Sequence, residues 1–182
     1  MDDSPGAASL LFLIGYRGTG KSTVARLLAD RLGWQTLDAD ALLESRYGKA
    51  IRTIFAEEGE LGFRAREAAV LADLCQLTHH VVATGGGVVL RSENRAKLKA
   101  AGLVIWLTAD AQTLWNRLQA DATTAERRPA LTSGGLTEIV ELLRARESYY
   151  ADCANFSVDT AGRTPAEVVS AILERLSVES EK

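Results

Sequence analysis

Two rhythms alternate along the chain. Short unbroken apolar runs, "LLFLI" within 10–15, "VVA" within 80–84 and "LVIWLT" at 103–108, read as strands buried on both faces, with shorter candidates at 34–37 and 155–158. Between them the apolar positions fall at helical spacing, as at 24, 27, 28 and 32 in "KSTVARLLADRLG". Helices are expected at 20–32, through 41–76, and at 92–101, 110–119, 136–153 and from 165 onward. Strands alternating with amphipathic helices predict an α/β fold, a parallel sheet covered on both faces.

Two helix starts are marked strongly. Asp110 can cap "AQTLW", and "TPAE" at 164–167 places Thr at the N-cap, Pro at the first helical position and Glu at the third. The polar stretch "QADATTAERRPALTSGG", 119–135, is too long for an idle connector and predicts a lid. His79 and His80 fall between a helix and a strand, where a solvated turn is expected rather than a ligand pair.

A length of 182 residues, 47% apolar and 25% charged, suits one well-filled domain, expected over 10–176 with tails at 1–9 and 177–182. With 21 basic against 24 acidic residues the net charge is -3, which argues against a broad basic surface and so against nucleic acid as a partner. Cys75 and Cys153 lack a C-x-x-C partner and are expected as two buried thiols. The acidic N-terminal "MDDSPGAAS" is unlike a signal peptide and no apolar run approaches membrane-spanning length, so a cytoplasmic protein with no membrane partner is expected.

Ligands of open parallel sheets bind where strands end, and chemistry-bearing residues gather there. "GYRGTGKST" follows the first strand, and its Gly15, Gly20, Lys21 and Ser22 fit G-x-x-x-x-G-K-[ST]. In that pattern backbone N–H groups cradle phosphates, the lysine reaches the terminal ones and the hydroxyl faces magnesium. The lysine's site is expected to open to solvent when empty. "DAD" at 38–40 follows the second strand. If the extended backbone persists, Asp38 and Asp40 point to opposite sides, one toward metal and phosphate and the other toward an acceptor, although either could instead cap the next helix. "GGG" at 85–87 follows the third strand and suggests a close backbone approach to a ligand or tight packing. Arg163 lies beyond the last. In "GFRAREAAV", Glu67 stands three residues after Arg64 and could brace its guanidinium. Arg146, Arg127 and Arg128 would by themselves be ordinary surface arginines.

The segments "GYRGTGKST", "DAD", "FRARE", "ATGGG", "RRP" and "RESYY", in this order and at these separations, resemble the shikimate kinase family over about residues 10–176. The resemblance implies a P-loop kinase fold of the nucleoside monophosphate kinase type. That fold is a three-layer sandwich around a five-stranded parallel sheet, with an acceptor-binding segment at about 38–67 and a lid at about 119–135. It implies transfer of the γ-phosphate of ATP to the 3-hydroxyl of shikimate, with Mg2+ as cofactor, in aromatic amino acid biosynthesis, by a chain expected to act as a monomer. Carried over by position, Gly18, Thr19, Gly20, Lys21, Ser22 and Thr23 bind ATP, with Arg117 and Arg163 flanking adenine. Ser22 and Asp38 serve the metal. Asp40, Arg64, Gly85, Gly86, Gly87 and Arg146 bind shikimate. Lys21, Asp40 and the lid arginine are catalytic, and Arg128, which precedes Pro129, is preferred to Arg127 for that last role. Gluconate kinases share the P-loop and the need for an arginine; "GGG" and "FRxxE" favour shikimate. A nucleotide-responsive regulator without catalysis is disfavoured because the whole catalytic set is present.

Overall fold

A computed structural model describes residues 9–120 and 135–180, excepting the side chains of 179 and 180. Five strands, β1 (Leu10–Ile14), β2 (Gln35–Asp38), β3 (His80–Ala83), β4 (Leu103–Thr108) and β5 (Phe156–Asp159), form one sheet in the order β2-β3-β1-β4-β5. Every neighbouring pair is parallel, with Leu10 opposite His80 on one side of β1 and Leu11 opposite Leu103 on the other.

The central strand shows why the sequence reads as it does. Leu10, Phe12 and Ile14 point into one core, Leu11 and Leu13 into the other, and all five are buried. Side chains of a strand alternate between faces, so covering both faces demands an unbroken apolar run. One face is covered by α1 (Lys21–Leu32) and α7 (Pro165–Ser180). The other packs on α3 (Ile51–Leu74), α4 (Ser92–Ala101) and α6 (Gly135–Cys153), while α5 (Ala111–Ala120) lies against α6.

Most expected boundaries hold within one or two residues. The departure is the helical material expected through 41–76. The first helix, α2 (Ala39–Tyr47), begins earlier and stops at Gly48, whose φ of 60 closes it. Within α3, Gly59 takes φ 68 and ψ -173, breaking the helix in its first half. Both expected caps are present. Asp110 accepts from the Thr113 backbone and hydroxyl, and the Thr113 hydroxyl above all holds the carboxyl below its ordinary range. Thr164 and Glu167 bond reciprocally, each side chain to the other's backbone. His79 is an exposed turn residue at φ 56, edge-on to Trp34. Of the two thiols, Cys153 is buried as expected but Cys75 is only half-buried, lying at the end of α3 rather than within the core. No helix among the described residues is long and apolar enough to cross a membrane.

Candidate active site

The sheet order brings the ends of β2, β3 and β1 side by side, so the P-loop, "GGG" and "DAD" become neighbours. The loop after β1 curls through Gly18 at φ 81 and Gly20 at φ 88, a region open to glycine at little cost. Gly20 is the N-cap of α1 and brings no side chain to cap it, and the positive end of the helix dipole faces the loop, where it favours an anion. Lys21 begins that helix. Its ammonium donates to the carbonyls of Gly15 and Tyr16, both at 2.8 Å, and the residue is only 9% exposed. The expected solvent-open lysine is thus corrected: its charge is folded onto the loop's own carbonyl oxygens, which replace water as its partners.

Ser22 Oγ donates to Asp38 Oδ2 at 2.5 Å, while Asp38 Oδ1 accepts from the backbone N–H of Asp40 and Ala41 at 3.0 and 3.1 Å. The expectation that extended backbone carries through "DAD" does not hold. Asp38 is both the last residue of β2 and the N-cap of α2, and its own hydrogen bonds turn the chain into helix. Capping and phosphate-side placement, treated as alternatives in the sequence, belong to the same carboxylate. The hydroxyl and carboxylate suit Mg2+, a hard cation that keeps waters and phosphate oxygens as its other ligands. Among the described residues, no cluster of three or more His, Cys, Asp or Glu forms a protein-only metal cage.

Beside the P-loop, Asp40, Arg64 and Arg146 gather around the three glycines. Thr84 locks the end of β3 to β1 by donating both its N–H and hydroxyl to Leu13 O. A methyl group at Gly85 would stand 2.8 Å from Asp40 Oδ1 and 3.0 Å from Glu67 Oε1; one at Gly87 would stand 2.5 Å from Arg64 Nη1. One at Gly86 would press on Gly15 O at 3.3 Å. The three glycines therefore allow an aspartate, an arginine and the P-loop to approach a single stretch of backbone. Arg64 Nη1 donates to Glu67 Oε2 at 2.7 Å, with the side chains 11% and 7% exposed, so the brace suggested by their spacing is a buried one. Arg64 also lies over the Phe63 ring, which stacks on Phe55. From α6, Arg146 reaches Gly86 O at 3.4 Å.

At the other end of the loop, a cleft of about 200 Å³ is lined by Gly18, Gly20, Thr23, Arg117, Arg163 and Pro165 among others. Arg117 donates to Gly18 O at 3.2 Å, Thr160 Oγ1 at 2.9 Å and Thr160 O at 2.7 Å, clamping the P-loop to the end of β5. Thr160 is missing from the sequence-derived site, though the strand-end rule that selected Arg163 covers it equally. Tyr150 is also missing; "SYY" gives no sign that one of its rings reaches the glycines. Arg127, Arg128 and all but the ends of the expected lid lie outside the described residues.

A phosphate-cradling loop between a central parallel strand and a helix, with a lysine, a serine–aspartate pair and a separate acceptor cradle, defines the class of P-loop phosphotransferases. The family model described as shikimate kinase matches residues 17–177. A shikimate kinase from Rhodopirellula baltica is 42% identical over 165 residues, covering 90% of this chain and 88% of its own. "Shikimate kinase 2" from Sodalis glossinidius is 44% identical, covering 91% and 94%. Among solved structures, shikimate kinase from Acinetobacter baumannii in complex with shikimate superposes with a TM-score of 0.90 at 32% identity, covering 97% of each chain. A gluconokinase from Sinorhizobium meliloti, at 19% identity and a TM-score of 0.60, shares the fold alone. The chain belongs to the shikimate kinase family.

Proposed function

We propose that the protein transfers the γ-phosphoryl group of ATP to the 3-hydroxyl of shikimate, giving ADP and shikimate 3-phosphate. The observation that carries this is the glycine cradle, with the Asp40 carboxylate at Gly85, the Arg64 guanidinium at Gly87 and the Arg146 guanidinium at Gly86 between them. Shikimate offers vicinal hydroxyls to the first and a carboxylate to the second, where planar guanidinium forks bind strongly.

In this reading Arg64, held by Glu67, and Arg146 orient the acceptor by its carboxylate. Asp40 accepts a hydrogen bond from the acceptor hydroxyl and takes its proton as the oxygen forms its bond to the γ-phosphorus and the bond to ADP breaks. Lys21 exchanges its carbonyl partners for phosphate oxygens, bringing charge to the transferring group. Ser22 and Asp38 would hold Mg2+, which when bound neutralises phosphate charge. Arg117 and Arg163 border the cleft assigned to the adenine end. Arg128 is assigned to the transferring phosphate from the lid.

A coupled ADP-release assay with shikimate, quinate, gluconate and nucleoside monophosphates tests the assignment. Strong turnover is expected with shikimate alone; comparable turnover with gluconate would overturn it.

A further inference from the structure

We propose that Tyr150 is a positioning residue of the acceptor site, its phenol fixing the Gly86–Gly87 peptide beside the Arg146 guanidinium; this rests on the function proposed above. Arg146 and Tyr150 stand one turn apart on α6, which places both side chains on one face of the helix. The Tyr150 ring is 1% exposed and stacks on Trp106 of β4, with centroids 5.5 Å apart and planes at 21°. Its hydroxyl donates to Gly86 O at 2.5 Å, whereas the bond from Arg146 to the same oxygen is long, at 3.4 Å. The two side chains thus converge on one acceptor, the Gly86 carbonyl. A carbonyl oxygen has two lone pairs, so guanidinium and phenol can share it, with the phenol making the closer bond.

The trans peptide unit turns this hold on Gly86 O into a device for the site. Its C=O and the following N–H point in opposite directions, so holding Gly86 O toward α6 aims the Gly87 N–H the other way. Among the described residues that N–H meets no acceptor, which leaves it a donor for a ligand. Packing on Trp106 alone would be served by a phenylalanine; the buried hydroxyl needs a partner and finds it in the backbone of the acceptor loop. When Arg146 turns to an incoming carboxylate and gives up its weak bond to Gly86, the phenol still holds the peptide plane. Burial pushes the phenol up to about 12, so it stays protonated and donating throughout the working range.

Tyr150→Phe keeps the ring and removes only the hydroxyl. The expected result is a shikimate KM raised ~tenfold, with kcat and the ATP KM each within about twofold of the wild type, the pattern of lost acceptor binding. Combined with Arg146→Lys, the effects on shikimate KM should be less than multiplicative, because both side chains act on the same Gly86 carbonyl. An unchanged shikimate KM overturns the proposal. So do equal losses in all three constants or a Tyr150→Phe chain that does not fold, either of which makes the hydroxyl a general determinant of structure, and multiplicative effects in the double variant, which make the two side chains independent. The wild type in the same assay separates the two levels: no shikimate-dependent ADP release sinks the proposed function and this inference with it, whereas normal wild-type turnover beside an unaltered variant sinks the positioning role alone.

Discussion

Asp38 and Asp40 are two positions apart and stand differently, because Asp38 ends β2 and caps α2 whereas Asp40 lies in the first turn of that helix. With Asp38 committed to Ser22 and to two backbone N–H groups, Asp40 is turned toward Gly85. Asp40→Asn should therefore lower shikimate turnover by about a hundredfold or more, the usual range for a lost general base, with Mg-ATP affinity of the free enzyme nearly unchanged. Asp38→Asn should raise the magnesium requirement, and Asp38→Ala should also lower thermal stability, because the carboxylate is a helix cap as well. Steady-state kinetics with magnesium titrations and melting curves distinguish the pair; full activity in Asp40→Asn would remove it from the chemistry. For the lid, Arg128→Ala should reduce kcat far more than it raises the shikimate KM, and Arg127→Ala should do less; the opposite ranking would exchange their roles.

At the scale of elements, legibility follows burial. Strand β1 was readable because both its faces are covered, and α1 because its apolar spacing is regular. The split between α2 and α3 was harder, since Gly48 and Gly59 break a stretch whose apolar pattern continues on either side. The site divides similarly. Local motifs declared the P-loop and the Arg64–Glu67 brace, whereas the pairing of Tyr150 with Gly86 joins residues 64 apart and leaves no local mark. Gly59 also bears a prediction. At φ 68 an alanine is strained, and nothing lies within 4 Å of an added methyl to complicate the effect. Gly59→Ala should destabilise the fold by about 1 kcal/mol or more, lowering the Tm by a few degrees. An unchanged melting curve would show that the kink is readily ironed out.

The whole molecule is vulnerable to alkali for a reason that lies in its core. Burial pushes the Tyr150 phenol from 10.0 up to about 12 and the Cys153 thiol from 9.0 up to about 11. Both groups sit on the face of the sheet covered by α3, α4 and α6, packed in one core. In the unfolded chain each would lose its proton near its ordinary value, while the native state still holds it. Between the two values the native state binds more protons, so stability must fall as pH rises. The contribution of Cys153 is intact below about pH 9 and lost toward 11, and that of Tyr150 is intact below 10 and lost toward 12. Over its window Tyr150 should cost about 1.4 kcal/mol of stability per pH unit. Urea midpoints of wild type and Tyr150→Phe, measured from pH 8 upward, provide the check. The variant should begin less stable, having lost a buried hydrogen bond, and decline less steeply above pH 10, so that the two curves converge. Parallel curves through that range would mean that the phenol ionises as readily in the core as in water, which would contradict its enclosure between Trp106 and the glycine loop.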